Sequence, residues 1–172
     1  TKYILKLIAE INIEQTIDVL LTLDVEALYT SIPQLATLEV IQIAPIHFVM
    51  DCATLALTEN FFKFEDQLYL QIKGTSMGST FAPSLACLYM CNFEEQFILH
   101  ESNPYKDDIQ LWKRYINDVL IVWSWEFTKA EEFHTWINTL DPYLRFTKHI
   151  SRNELPFLDL LISIDEGKLE TK

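Results

Sequence analysis

At 172 residues and 49% apolar, with three glycines, six prolines and a mean hydropathy of +0.09, the chain can bury a core of its own and is expected to be ordered. No run of about 18 uncharged apolar residues occurs, because Glu39, Pro45 and His47 interrupt the most apolar region, so a helical membrane span is excluded. A formal net charge of −12 argues against tight nucleic-acid binding by the chain as a whole, although between Lys106 and Arg152 seven basic residues balance seven acidic ones.

Lys2 to Ile11 sets Tyr3, Ile4, Leu7, Ile8 and Ile11 at helical spacing, with Asn12 as a stop, and predicts a packing helix. Val19 to Val25, VLLTLDV, is a nearly continuous apolar run, which predicts a central strand covered on both faces with Asp24 at its C-terminal end. Helices are expected over Gln34 to Gln42 and Pro45 to Thr58, the second with Pro45 in its first turn. Asn60 to Ile72 predicts a hairpin, FFKF and LYLQI, around Glu65, Asp66 and Gln67. A turn with two glycines, KGTSMGSTFAP, then leads into an apolar helix from about Ser84 to His100, which Asn103 and Pro104 close.

Ile109 to Ile116 and Val119 to Trp125 predict the arms of a second hairpin with a polar tip at Asn117 and Asp118. Thr128 and Glu131 have the spacing of a capping box that opens a helix to Leu140. Leu144 to Ile150 and Phe157 to Ile164 read as two further strands. This order describes an α+β domain in which helices pack on one face of an antiparallel sheet. Cys52, Cys87 and Cys91 are too few for a disulfide framework and are expected as small buried thiols in a reducing compartment. With no signal-peptide layout, the chain is expected to be intracellular, nuclear or cytoplasmic, and not secreted. Its abrupt start without an initiator Met reads as a fragment of something longer.

Phosphoryl transfer by two metal ions needs carboxylates converging on cations roughly 4 Å apart, because a hard cation such as Mg²⁺ prefers charged oxygen ligands. Asp24 and Asp118 are the pair this sequence offers, an Asp in either place being also an ordinary cap or solvated turn residue. Five stretches in order, LTLDVEALYTSIP, QIKGTSMGSTFAPSLACLYM, WKRYINDVLIVW, LRFTKHI and ELPFLDLLI, resemble the successive palm motifs of reverse transcriptases, most closely those of Penelope-like retroelements. The resemblance runs from about Val19 to Ile164. It implies a polymerase palm with partial fingers as a single unit over residues 1–172, lacking a thumb, basic N-terminal fingers and a nuclease. The implied activity is that of an RNA-directed DNA polymerase, a nucleotidyltransferase of a retrotransposon or other transposable element.

On that resemblance Asp24 is the first metal-ligand aspartate, Val25 offers a backbone carbonyl to a cation, and Tyr29 packs beneath the incoming sugar, although a tyrosine at a helix start is also ordinary core. Gly74, Ser76, Met77, Gly78 and Pro83 match the loop and helix start that lie against the nascent base pair, where small residues admit close backbone approach. Without the other motifs they are an ordinary glycine-rich turn. Tyr115 and Asp118 match the first and last residues of a Tyr-x-Asp-Asp tip, and Leu155, Pro156, Phe157 and Leu158 match a hairpin that helps hold the primer strand. Lys148 lies near the place of a general acid in some polymerases and reads otherwise as a solvated strand lysine. The implied ligands are an RNA template, a DNA primer, deoxynucleotide triphosphates and Mg²⁺ or Mn²⁺. The number of associating chains is left open.

Asn117 stands where the resemblance implies an aspartate. The exchange removes a full negative charge from a site for two dications, and one opposite-charge contact at about 4 Å is worth on the order of 4 kcal/mol at an effective dielectric near 20. Catalysis is therefore expected to be impaired, with Asp24 and Asp118 holding one cation. Two other readings stay open: a catalytically silent module that binds nucleic acid or protein, and a decayed element with no functional product.

Overall fold

The computed structural model describes residues 19–41, 47–76, 78–124, 127–165 and 168–171. The helix expected over Lys2 to Ile11, and also Pro45, Met77 and Trp125, lie outside the described residues. The chain divides into two units, one of Thr1–Val25 with Glu101–Lys172 and one of Glu26–His100.

The first unit is built on a four-stranded antiparallel sheet. Its central strand β1 (Val19–Val25) pairs on one side with β5 (Asp118–Trp123) and on the other with β6 (Phe146–Ser151), while β4 (Ile109–Tyr115) extends the sheet beyond β5. The apolar run VLLTLDV was expected to be covered on both faces, and it is. Leu20 lies opposite Val122, and both join Leu120 in a core closed by Leu155, Phe157 and Ile162. Those last three come from β7 (Glu154–Phe157) and β8 (Leu160–Asp165), which with β9 (Lys168–Thr171) make a second, three-stranded sheet.

On the opposite face, Leu21 and Leu23 register with Ile121 and Val119, and a helix, α5 (Phe127–Leu140), turns Ala130, Phe133 and Ile137 inward at helical spacing. Phe133 sits among aromatics, its ring centroid 5.3 Å from Trp123, 5.6 Å from Tyr105 and 5.8 Å from Trp136. The helix is also tied to the sheet through Asn138, whose Oδ1 accepts from the Phe146 amide at 2.9 Å and whose Nδ2 donates to the Phe146 carbonyl at 3.1 Å. One side chain thus replaces a missing strand partner at the start of β6. One helix thus packs on one face of the sheet and a small sheet covers the other, within the expected α+β class.

The second unit contains α1 (Leu28–Ser31), α2 (Gln34–Ile41), α3 (His47–Thr58), a hairpin of β2 (Phe61–Phe64) and β3 (Gln67–Leu70), and α4 (Ala82–Phe93) with a proline in its first turn. Its core brings together Ile41, Ala53, Leu57 and Leu85.

Four local expectations shift. The helix expected to reach His100 stays α-helical only to Phe93 and widens into a π-turn over Glu94–Ile98, where the Leu99 amide donates to the Glu94 carbonyl at 2.8 Å. The strand expected over Phe157 to Ile164 is broken by a two-residue turn at Leu158 and Asp159, with Leu158 at φ 53° and Phe157 opposite Leu160. Helix α5 starts at Phe127, so Thr128 lies inside its first turn and is not its cap. Cys52 and Cys91 are exposed, because Ala53 and Leu57 on α3 and Leu85, Ala86, Tyr89, Met90 and Phe93 on α4 take the inward positions.

Leu20 is expected to be a keystone of the first unit, since it is fully buried between two sheets. Leu20→Ala should lower the unfolding free energy by about 2–5 kcal/mol, read from urea titrations monitored by tryptophan fluorescence. A loss under about 1 kcal/mol would contradict this packing.

Candidate functional site

Strand register sets the site. Asp24 lies opposite Asp118 on β5 and opposite Thr147 on β6, while Asp118 lies opposite Tyr115 on β4. Side chains directly opposite one another share a face, so Tyr115, Asp118, Asp24 and Thr147 form one row across four strands. One row further in, Leu120, Thr22 and His149 share that face. Thr22, Asp24, Asp118, Thr147 and His149, together with Pro156, Phe157 and Leu158, line an open cleft of about 170 Å³. That is below the roughly 300–1,000 Å³ of ordinary ligand pockets, so the cleft suits a hydrated cation or the end of a larger molecule.

The hairpin tip differs from its expected place by one residue. Tyr115 pairs with Asp118, so the two-residue loop is Ile116 and Asn117, and Asp118 is the first residue of β5. Ile116 has φ 56°, a left-handed conformation that a β-branched residue rarely adopts. The turn is braced from both sides: the Val25 amide donates to the Asn117 carbonyl at 3.1 Å, and Arg114 Nη1 donates to the Ile116 carbonyl at 3.0 Å.

Asn117 turns its side chain onto the carboxylate row, where Nδ2 donates to Asp24 Oδ1 at 2.5 Å. A second carboxylate in that place would repel Asp24; the amide satisfies it. Burial, and secondarily the neighbouring Asp24 carboxylate, push the Asp118 carboxyl above its ordinary value of 3.8. Among the described residues no group of three or more His, Cys, Asp or Glu side chains converges as a metal site. Two carboxylates fit one hard divalent cation, which Mg²⁺ commonly shares with water and phosphate oxygens. They are too few for a pair of dications.

Lys148 is opposite Leu23, and so belongs to the helix-covered face, where its Nζ makes an ion pair with Glu131 of α5. Val25 is buried opposite Phe146. In the predicted primer hairpin, Leu155 and Phe157 are buried core residues, while Pro156 and Leu158 are exposed. Thr22, Thr147 and His149 on the cleft were not singled out in the sequence. Only the register reveals them, because each is an unremarkable polar residue in a strand.

In the second unit, Tyr29 and the glycine loop meet through backbone. The Thr75 amide donates to the Tyr29 carbonyl at 2.7 Å, and a Cβ on Gly74 would come within 2.6 Å of Thr30 Cα and 2.7 Å of the Tyr29 carbonyl oxygen. Gly74, at φ 72°, is thus required by the chain's own backbone, whereas Gly78, at φ 100°, has open space around it. Gln34 staples the loop, its Nε2 donating to the carbonyls of Gln71 and Gly74 at 3.2 Å each. The Ser76 carbonyl accepts from the Ser79 amide at 3.2 Å.

No family model matches the sequence, and neither does any curated protein. Among solved structures, the fold is similar to apo telomerase from Candida tropicalis, with a TM-score of 0.74 and 12% identity over 100% of this chain and 36% of that one. The likeness is one of fold. The same telomerase truncated from its C-terminal domain gives 0.63 at 14% identity over 91% of this chain and 36% of that one. Its complex with the TWJ fragment of telomeric RNA gives 0.65 at 14% identity over 99% and 32%. The chain therefore spans about a third of the length of these structures.

The two glycines should separate in stability measurements. Gly74→Ala, which meets backbone as well as an unfavourable φ, is expected to cost roughly 3 kcal/mol or more. Gly78→Ala should cost only the conformational penalty of about 1–2 kcal/mol. Equal losses in chemical denaturation would argue against the close approach of Gly74 to Thr30.

The Asp118 charge weighs on the folded state. A carboxyl raised on folding binds its proton more tightly in the folded chain, so this penalty is present above the folded pKa and is relieved as pH falls towards 3.8. Asp118→Asn should therefore melt above the parent at neutral pH, and calorimetric scans should find the gap closing as pH is lowered. A gap that is constant with pH would remove the electrostatic origin.

Proposed function

We propose that this chain is the palm and part of the fingers of a reverse-transcriptase-type polymerase of the Penelope-like retroelement kind, with nucleotidyl-transfer chemistry weakened by Asn117. The observation that carries the proposal is the shared face on which Asp24 and Asp118 stand opposite one another at the end of a braced hairpin. Asp24 and Asp118 would hold one cation, Mg²⁺ or Mn²⁺, which when bound supplies Lewis-acid polarisation of a phosphate oxygen. Tyr115 and Thr147, flanking the pair, border the place where substrate would lie. The substrates on this reading are an RNA template, a DNA primer and deoxynucleotide triphosphates, in an intracellular setting.

Asn117 acts against catalysis in two ways. It lacks the charge that a second dication needs, and its amide occupies Asp24 Oδ1, so a cation must displace or share that oxygen. The same hydrogen bond favours a second reading, in which the tip keeps its shape with no cation at all and the chain binds nucleic acid or protein without performing chemistry.

Titration with Mn²⁺, followed by electron paramagnetic resonance, should find one weak site that Asp24→Asn abolishes. Asn117→Asp should tighten Mn²⁺ binding by about tenfold or more. Unchanged affinity in that variant would sink Asn117 as the lesion. Primer extension on an RNA template by a longer protein with its flanking segments separates the two readings. Weak activity that Asn117→Asp raises supports a damaged polymerase, and no activity with either residue supports the silent module.

A further inference from the structure

The apolar residues that remain on the surface are unevenly placed. Of fifteen exposed large apolar side chains among the described residues, twelve lie between Glu26 and His100. They concentrate on the β2–β3 hairpin, every residue of which is exposed. Cross-strand register gives the hairpin two apolar faces. One carries Phe61, Leu68 and Leu70 beside Lys63, and Ile72 continues it beyond the strand. The other carries Phe62, Phe64 and Tyr69, with the Phe62 and Tyr69 rings stacked at 5.5 Å. Phe64 is 63% exposed, Leu68 75% and Ile72 82%. A strand apolar on both faces is the pattern of one covered on both faces, and an uncovered two-stranded hairpin is at best marginally stable.

The hairpin is nonetheless held at its base. The Gln71 amide donates to the Asn60 carbonyl at 2.8 Å, and Asn60 Nδ2 donates to Gln71 Oε1 at 2.8 Å. It is therefore a presented arm, and an exposed apolar surface shared by neighbouring side chains on both faces marks an interaction site.

Charge selects the occupant. Residues 26–100 hold eight carboxylates, two lysines and no arginine, a formal charge of −6. One of the two lysines, Lys63, is paired with Asp66 at 3.5 Å. Glu59, at the foot of the hairpin, and Glu65, in its turn, have no cationic partner among the described residues. A nucleic acid would add phosphate charge to this acidic surface, and a second copy would bring another −6. We infer that the β2–β3 hairpin is a docking arm for a cationic polypeptide segment that carries apolar anchors, with lysines or arginines meeting Glu59 and Glu65 while apolar side chains cover the two faces.

The test uses the whole chain and, as probe, a fluorescently labelled peptide alternating lysine and leucine, with a glutamate–leucine peptide as its charge-reversed control. Fluorescence anisotropy should register binding of the lysine peptide that weakens with salt. Phe62→Ser and Leu70→Ser should each weaken it by ~tenfold, as for the loss of an interface anchor. Glu59→Gln with Glu65→Gln should weaken it and flatten its salt dependence, while Tyr143→Ser, an exposed aromatic in the other unit, should leave it unchanged. The charge variants keep the test decisive if a hairpin variant unfolds.

Equal binding of the glutamate peptide overturns the assignment of charge. Lysine-peptide binding that survives both hairpin substitutions overturns the site. Two results would assign the arm to a different occupant and overturn the proposal: a concentration-dependent dimer, seen by light scattering and abolished by Phe62→Ser, or a single-stranded RNA oligonucleotide that outcompetes the peptide.

Discussion

The antiparallel register between Val19–Val25 and Asp118–Trp123 is the constraint on which the first unit depends. Side chains alternate along a strand, so a slip of one residue would exchange the two faces of β1. Leu20 would leave the inter-sheet core and Leu21 the helix-covered core, while Asp24 would be carried under α5. Packing on both faces forbids that slip, and the same packing therefore holds the two aspartates opposite one another. Positional precision at the polar end of the sheet is a by-product of apolar fit at its centre.

Within that frame the hairpin tip resolves a conflict of charge. Two carboxylates already face each other across β1 and β5, and burial and proximity raise the Asp118 carboxyl. A third carboxylate would add to that repulsion. Asn117 is close in size, donates to Asp24, and keeps its backbone carbonyl on the Val25 amide. The facing arrangement of Asp24 and Asp118 is thus kept with an amide beside it, because the backbone carbonyl of Asn117 braces the turn while its side chain meets the carboxylate.

Much of this architecture was legible in the sequence because it follows from local pattern. VLLTLDV has the continuity of a doubly covered strand, FFKF and LYLQI flank an obvious turn, and the apolar spacing of Phe127–Leu140 is helical. The α+β class and the Asp24–Asp118 pair followed from these. What was not legible depends on tertiary partners. The tip at Ile116 rather than Asp118 is fixed by pairing with β4, and the small sheet over Leu20 comes from segments more than a hundred residues away. Lys148 could be assigned to the face away from the carboxylates only once it was seen opposite Leu23. Gly74 was expected to admit the close approach of a ligand, and the group that lies against it is the chain's own backbone at Tyr29 and Thr30. The exposure of the β2–β3 hairpin was hidden for the opposite reason, since its composition is that of a buried element.

The aromatic cluster around Phe133 has a consequence for observing the molecule. All four tryptophans of the chain, Trp112, Trp123, Trp125 and Trp136, fall between Glu101 and Lys172, and none falls between Glu26 and His100. Indole emission therefore reports on one unit and is blind to the other, whose ultraviolet signal comes from tyrosine and phenylalanine. Only one of the two units carries a distinctive optical label. Whether the two melt as one cooperative system can be read from a single native sample, by comparing emission excited at the red edge of indole absorption with far-ultraviolet circular dichroism, which sees the helices of both.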